Sequence, residues 1–131
     1  MLDKIKSADG VFMGGGNTFY LRYWLHKVGA DKILAKEANN GLVIGGGSAG
    51  AIVLSPSLKY FDLADDPKEA PEAMWEGLNL VDFEPLVHAD SQKYGYIIAS
   101  IKESFNAKGV EVVSINDDQA VVVSDDKREL I

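Results

Sequence analysis

Short apolar runs along this chain end in glycine clusters, and stretches follow in which apolar residues return every three or four positions. Val11-Phe12-Met13 runs into Gly14-Gly15-Gly16-Asn17, which predicts a buried strand entering a tight loop. Leu21, Trp24, Leu25 and Val28 then stand at i, i+3, i+4 and i+7, so a helix follows, with Asn17 or Thr18 capping its start and Gly29 closing its end. Asp31 predicts the cap of a second helix reaching about Asn39. Gly41-Leu42-Val43-Ile44 is the next apolar strand, and it too runs into glycines, at positions 45–47. From Leu58 to Asp82 the pattern changes: Asp62, Asp65-Asp66-Pro67, Glu69 and Pro71-Glu72 predict a long surface excursion. Pro85 to His88 reads as a strand end. Ile97, Ile98, Ile101 and Phe105 line one face of a third long helix closed by Gly109. Val110 to Val113 and Ala120 to Val123 read as strands, and Asp125-Asp126 as a hairpin turn into Arg128 to Ile131.

Strands alternating with helices predict an α/β fold, a parallel sheet covered by helices on both faces, with functional groups where strand carboxyl ends meet loops. Three signals sit at such ends: Gly14 to Asn17, Gly45 to Gly50, and His88. No repeat, low-complexity tract or linker interrupts the chain, so residues 1–131 read as one domain. Only one short amphipathic piece precedes the first strand, which leads us to expect further elements in front of it.

Charge narrows the partners. Thirteen Lys+Arg stand against 20 Asp+Glu, a formal net charge of −7, which repels polyphosphates and anionic bilayers and argues against nucleic acid or a membrane as partner. There is no cysteine, and hence no disulfide framework, thiolate metal site or cysteine nucleophile. The opening residues lack the apolar core of a targeting segment, and no apolar run approaches the roughly 18 residues of a membrane span. The default expectation is a cytoplasmic protein.

Gly46-Gly47-Ser48-Ala49-Gly50 matches the G-x-S-x-G nucleophile elbow in its required context, with an apolar strand before it and helix-compatible residues after. A serine on a sharp strand-to-helix turn is held in a strained conformation, and small flanking residues let the turn close. Ser48 would then lie beside the Ala49 N–H, where an oxyanion hole places one of its donors. The Gly14 to Asn17 loop can bring a second. Gly45-x-Gly47-x-x-Gly50 also fits the dinucleotide fingerprint, but Pro56 stops the helix too early and no strand-end acid follows ~20 residues on. Both clusters can also be plain tight turns. Of the two histidines, His26 falls opposite the apolar face of its helix and reads as solvated, whereas His88 ends an apolar strand and is the candidate base. Asp82, Asp90, Asp117 and Asp118 are all candidates for the acid that orients it, and periodicity does not choose among them.

At these residues the chain resembles the peptidase E family of serine peptidases. The likeness lies in Gly14-Gly15-Gly16-Asn17-Thr18-Phe19-Tyr20-Leu21, in Gly47-Ser48-Ala49-Gly50-Ala51 with Ser55-Pro56 behind it, and in Leu78-x-Leu80-Val81-Asp82-Phe83 leading to His88. The resemblance implies a flavodoxin-like domain that hydrolyses the bond after an N-terminal acidic residue, usually aspartate. Ser48 would be the nucleophile, His88 the general base and Asp117 the acid. Gly15, Gly16 and Asn17, with Ala49, would surround the oxyanion and substrate, and no metal or cofactor would be needed. An acidic substrate group needs a cation, for which Arg22, Lys59 and Lys93 are available. The resemblance also places the chain in the later portion of the family's domain. From this follows the expectation that it lacks the N-terminal part and either self-associates as a homo-oligomer or pairs with a complementing N-terminal fragment. A non-catalytic binding or assembly module is the competing reading.

Overall fold

Helix α1, Leu2–Ser7, leads into strand β1, Gly10–Met13; the computed structural model describes residues 1–131. Helix α2 spans Thr18–Lys27, and its start is fixed by Asn17, whose side-chain oxygen accepts from the Tyr20 N–H at 2.9 Å. That bond satisfies one of the donors a helix leaves open in its first turn. Gly29, at φ +80°, turns the chain from α2 into α3, Ala30–Ala38, a left-handed step that costs glycine little. Strand β2, Val43–Gly46, pairs in parallel with β1 in a register running from Gly10↔Val43 to Met13↔Gly46. The short helix α4, Ala49–Ile52, follows at once. Beyond it come 3-10 turns at Phe61–Leu63 and Pro67–Glu69, then β3, Glu84–Leu86, α5, Gly95–Ala107, and β4, Val112–Ser114. β4 lies parallel to β3. Strands β5, Val121–Ser124, and β6, Lys127–Leu130, close the chain as an antiparallel hairpin, with Asp125 left-handed in its turn.

The larger core cluster gathers Phe19 of α2, Ile52 of α4, Leu58 and Phe61 of the excursion, Leu86 of β3 and Ile98, Ile101 and Phe105 of α5. Full burial of a side chain the size of Phe19 or Leu58 stabilises the fold by about 1.5–3 kcal/mol. Met13, Leu34 and Val53 form a second cluster under β1 and β2. Together they hold the ends of β2 and β3 on one side of the molecule, where the three sequence signals meet.

Four features differ from the sequence expectations. The continuous parallel sheet is instead two separate parallel pairs and a hairpin. Helices do not cover both faces of β1–β2: Phe12 and Val43, which share a face in this register, are 73% and 69% exposed. On α2 the buried residues are Thr18, Phe19 and Arg22, while Trp24 and Val28 are partly in solvent. Arg22 tolerates burial because its Nε donates to the Glu76 carbonyl at 2.8 Å and its Nη1 to Asp31 at 3.3 Å. Finally, the acid-rich excursion is no mere surface loop. Leu58, Phe61 and Ala70 sink into the core, and Asp65 accepts from both the Thr18 N–H and its hydroxyl, tying the excursion to the start of α2.

Glu84 of β3 is fully buried, and one of its carboxylate oxygens has no hydrogen-bond partner. Burial pushes its pKa up from 4.5 to about 7, against the lowering effect of the Ser57 N–H and the Ser55 side chain. Between these values the folded protein keeps a proton that the unfolded chain has released. Stability is therefore expected to fall as pH rises from 5 to 7 and then level off, by at most roughly 3 kcal/mol. Urea denaturation at pH 5 and pH 8 measures this. Glu84→Gln should flatten the dependence, and an unchanged slope in that variant would exclude Glu84 as its source.

Candidate active site

β2 ends at Gly46, and two residues later Ser48 takes φ 54° and ψ −121°, from which α4 begins at Ala49. This is a strand-to-helix turn in a region that non-glycine residues rarely occupy. His88, two residues beyond β3, is also left-handed, at φ 59°. The two strained positions face each other: Ser48 Oγ lies 3.1 Å from His88 Nε2. On the other side of the ring, His88 Nδ1 lies 2.6 Å from Asp117 Oδ1. Asp117 stands in the loop after β4, so the constellation draws on the ends of three strands.

The remaining acids separate clearly. Asp90 accepts from the Asp117 backbone N–H at 2.9 Å, which holds the loop that carries Asp117. Asp118 makes no side-chain hydrogen bond, and Asp82 is exposed and lines a different cleft. His26 is exposed as expected, its Nδ1 paired with Asp31. Gly15 is in contact with Ser48, since a Cβ built on it would lie 3.4 Å from the Ser48 Cβ. The N–H groups of Gly15, Gly16 and Ala49 donate to no other group of the protein. Asn17 differs: beyond capping α2, its amide donates to the Asp66 carbonyl and to Glu69, so its side chain is committed to structure. Two contributors escaped the sequence reading. Asp90 was weighed only as a competing acid, and the Tyr94 ring, 5.5 Å from the His88 ring, carried no local signal.

Of the three candidate cations, Arg22 is taken up by Asp31 and the Glu76 carbonyl. Lys59 sits over Tyr60, and Lys93 sits 5.1 Å above the ring of Tyr94, beside His88. A cavity of about 320 Å³ is lined by Ser48, His88 and Asp117 themselves, by strand residues such as Ile44, Pro85 and Val121, by Val87 just past β3, and by no Lys or Arg. No three His, Cys, Asp or Glu side chains converge as a metal ion would require. No helix is long and apolar enough to cross a membrane.

The chain is similar to known proteins along most of its length. An uncharacterized peptidase of Listeria innocua serovar 6a is 33% identical over 124 residues, 94% of this chain and 59% of its own. Peptidase E of Streptomyces coelicolor is 39% identical over 83 residues, 63% of this chain and 33% of its own. A crystal structure of a peptidase E candidate from Listeria monocytogenes EGD-e superposes with a TM-score of 0.89 at 29% identity, covering 99% of this chain and 62% of that one. The chain thus spans about three-fifths of the length of the curated relatives that it matches most fully. The sequence model of peptidase family S51 matches residues 1–131, from α1 through the Ser48 turn and His88 to the last strand. The chain belongs to peptidase family S51.

Proposed function

We propose that Ser48, His88 and Asp117 act together in serine-type hydrolysis of short peptides, with dipeptides beginning in aspartate as the substrate class. The observation that carries this reading is the unbroken relay from Ser48 Oγ through both ring nitrogens of His88 to Asp117, at 3.1 and 2.6 Å. Ser48 Oγ attacks the scissile carbonyl while its proton passes to His88 Nε2. His88 then delivers that proton to the leaving amine, and an acyl-enzyme remains on Ser48. Water, deprotonated by His88, attacks the acyl group and restores the serine. Asp117 accepts the Nδ1–H and so fixes the tautomer that leaves Nε2 free to take a proton. The unused N–H groups of Ala49, Gly15 and Gly16 supply donors for the oxyanion, and such donors are worth most where charge develops in the transition state. A flavodoxin-like arrangement accords with parallel β1–β2 and β3–β4 and with the site lying at the carboxyl ends of strands.

An active-site-directed fluorophosphonate tests the mechanism. It should label Ser48 and leave the Ser48→Ala variant unlabelled; an unlabelled wild-type protein would favour the non-catalytic reading. Asp117→Asn should lower turnover at least ~10²-fold by favouring the wrong tautomer. Asp82→Asn should leave it within about twofold. The reverse order would move the acid to Asp82.

Lys93 is the cation that this reading assigns to the substrate's acidic side chain, because its partner ring adjoins His88 while Arg22 is already paired. Lys93→Ala should raise KM for an Asp-Leu dipeptide about three- to tenfold with little change in kcat, as expected when binding common to ground and transition states is lost. An equal effect on Ala-Leu would show that Lys93 does not read the charge.

A further inference from the structure

The backbone twist at His88, whose ring meets Ser48, also takes the His88 carbonyl out of the sheet. β3 and β4 run in step from Glu84↔Val112 to Leu86↔Ser114, with the Glu84 N–H donating to the Glu111 carbonyl and the Ile115 N–H to the Leu86 carbonyl. Parallel strands repeat this pattern every two residues. The next rung would therefore join the His88 N–H to the Ile115 carbonyl and the Asp117 N–H to the His88 carbonyl. Neither bond forms. His88 is left-handed, at φ 59°, and the pairing slips by one residue. The Ala89 N–H takes the Ile115 carbonyl at 3.1 Å, and the His88 carbonyl accepts instead from the Ser91 N–H at 3.1 Å. Such a bulge beside a site re-aims a side chain and ends the regular pairing. It leaves the Asp117 N–H without the backbone acceptor that the register assigns to it.

Asp90 supplies that acceptor. Its Oδ1 takes the Asp117 N–H at 2.9 Å, a charge-assisted bond in the place of the missing rung. The Ala89–Ile115 bond and the turn from His88 to Ser91 fix the backbone on either side of Asp90. Ser91 goes on to accept from the Gly95 N–H and, through its hydroxyl, from the Lys93 and Tyr94 N–H groups just before α5. The Asp90 carboxylate thus projects from a segment tied to both β4 and α5. The loop that carries Asp117 is closed on itself by Gln119, whose side chain accepts from the Asn116 N–H while its own N–H donates to the Asn116 carbonyl. Gln119 shapes this loop but does not join it to the segment after β3. The side chain of Asp117 is 55% exposed, so little packing holds it at 2.6 Å from His88 Nδ1. We infer that Asp90 is a positioning residue of the site: its carboxylate replaces the His88 carbonyl as the rung that holds the Asp117 backbone, and so keeps the Asp117 carboxylate on His88 Nδ1. This rests on the reading of Ser48, His88 and Asp117 as a catalytic relay, and adds the residue that sets its far end. A misplacement of ~1 Å lowers turnover by about 10²-fold, so a single rung at this place matters more to rate than to stability.

The test sets Asp90→Ala against Asp90→Asn, whose side-chain carbonyl keeps an acceptor at the same reach. Asp90 is exposed, so both variants should fold. In Asp90→Ala, kcat for Asp-Leu is expected to fall at least tenfold with KM within about twofold, and Asp90→Asn should regain most of that loss. The second readout needs no substrate: nitrogen NMR of isotope-labelled histidine in alkaline solution, with His88 assigned by the signals that His88→Ala removes. Asp117 holds the Nδ1–H tautomer, whereas a free imidazole favours Nε2–H. His88 should therefore be Nδ1–H in the wild type and in Asp90→Asn, and shift by at least half toward Nε2–H in Asp90→Ala. A wild-type kcat or a wild-type tautomer in Asp90→Ala would overturn the inference. So would an Asp90→Asn variant as impaired as Asp90→Ala, because the charge and not the bond would then be the cause. If the wild type showed no turnover while its tautomer still depended on Asp90, the proposed function would fail and the rung would stand.

Discussion

Replacing Ser48 with alanine is expected to lower peptide turnover at least ~10³-fold while leaving the melting transition within a few degrees of wild type. The side chain removed is small and its Oγ bonds only to His88, so little structure depends on it. The proposed reaction, by contrast, depends on it for the bond that forms. His88→Ala should be about as damaging, and the double variant no worse than either alone, because the groups act as one unit and their effects do not add. Steady-state kinetics on Asp-Leu for the three variants makes the comparison. If the two single losses multiplied in the double variant, Ser48 and His88 would be acting independently, and the relay would have to be abandoned.

Gly50→Ala is expected to be the most destabilising single methyl addition near the site. A Cβ at position 50 would lie 2.0 Å from the Met13 carbonyl oxygen and 2.9 Å from that of Gly14. These are backbone atoms of β1 and its loop, with no rotamer through which to move aside. The Gly50 N–H also donates to the Gly14 carbonyl at 3.0 Å, so relief by moving α4 outward would break a bond as well. A cost of about 4 kcal/mol or more follows, a large share of the 5–15 kcal/mol by which domains are stable. Gly46 meets the same wall from the other side, since its Cβ would fall 2.2 Å from the Gly50 carbonyl oxygen. Gly14→Ala is the control: a Cβ there meets nothing within 4 Å, and the change should be nearly neutral. Urea denaturation of the two variants decides the matter, and equal midpoints would show that α4 is not wedged against β1.

These two predictions locate the site's construction at one turn. The small residues of Gly46-Gly47-Ser48-Ala49-Gly50 let β2 and α4 meet at almost no separation, and that closeness forces Ser48 into its strained conformation. The strain is held by packing, since Ala49, Ala51, Ile52 and Val53 are all buried. The same closeness sets the Gly14 to Gly16 loop against Ser48, so its free N–H groups share the serine's surroundings.

The sequence by itself determined the parts whose cause is local. Apolar runs broken by glycines marked β1 and β2, the spacing of Ile97, Ile98, Ile101 and Phe105 marked α5, and the glycines around Ser48 marked a turn that few other residues could make. Ser48 and His88 were legible because each ends an apolar run. Tertiary structure alone decided the rest, because the deciding contacts join residues far apart in the chain. By periodicity the four aspartates were equivalent, and only the family resemblance pointed to Asp117; it is the β3–β4 pairing that brings Asp117 to 2.6 Å from His88 and sets Asp90 to hold its backbone. Arg22 is buried in place of Trp24 because Glu76 and Asp31, 54 and 9 residues away, supply its partners. The acid-rich excursion lies partly in the core because Leu58 and Phe61 find Phe105 and Leu86 across the fold. Periodicity reports which face of an element is apolar, whereas burial and charge pairing depend on what the rest of the chain brings to that face.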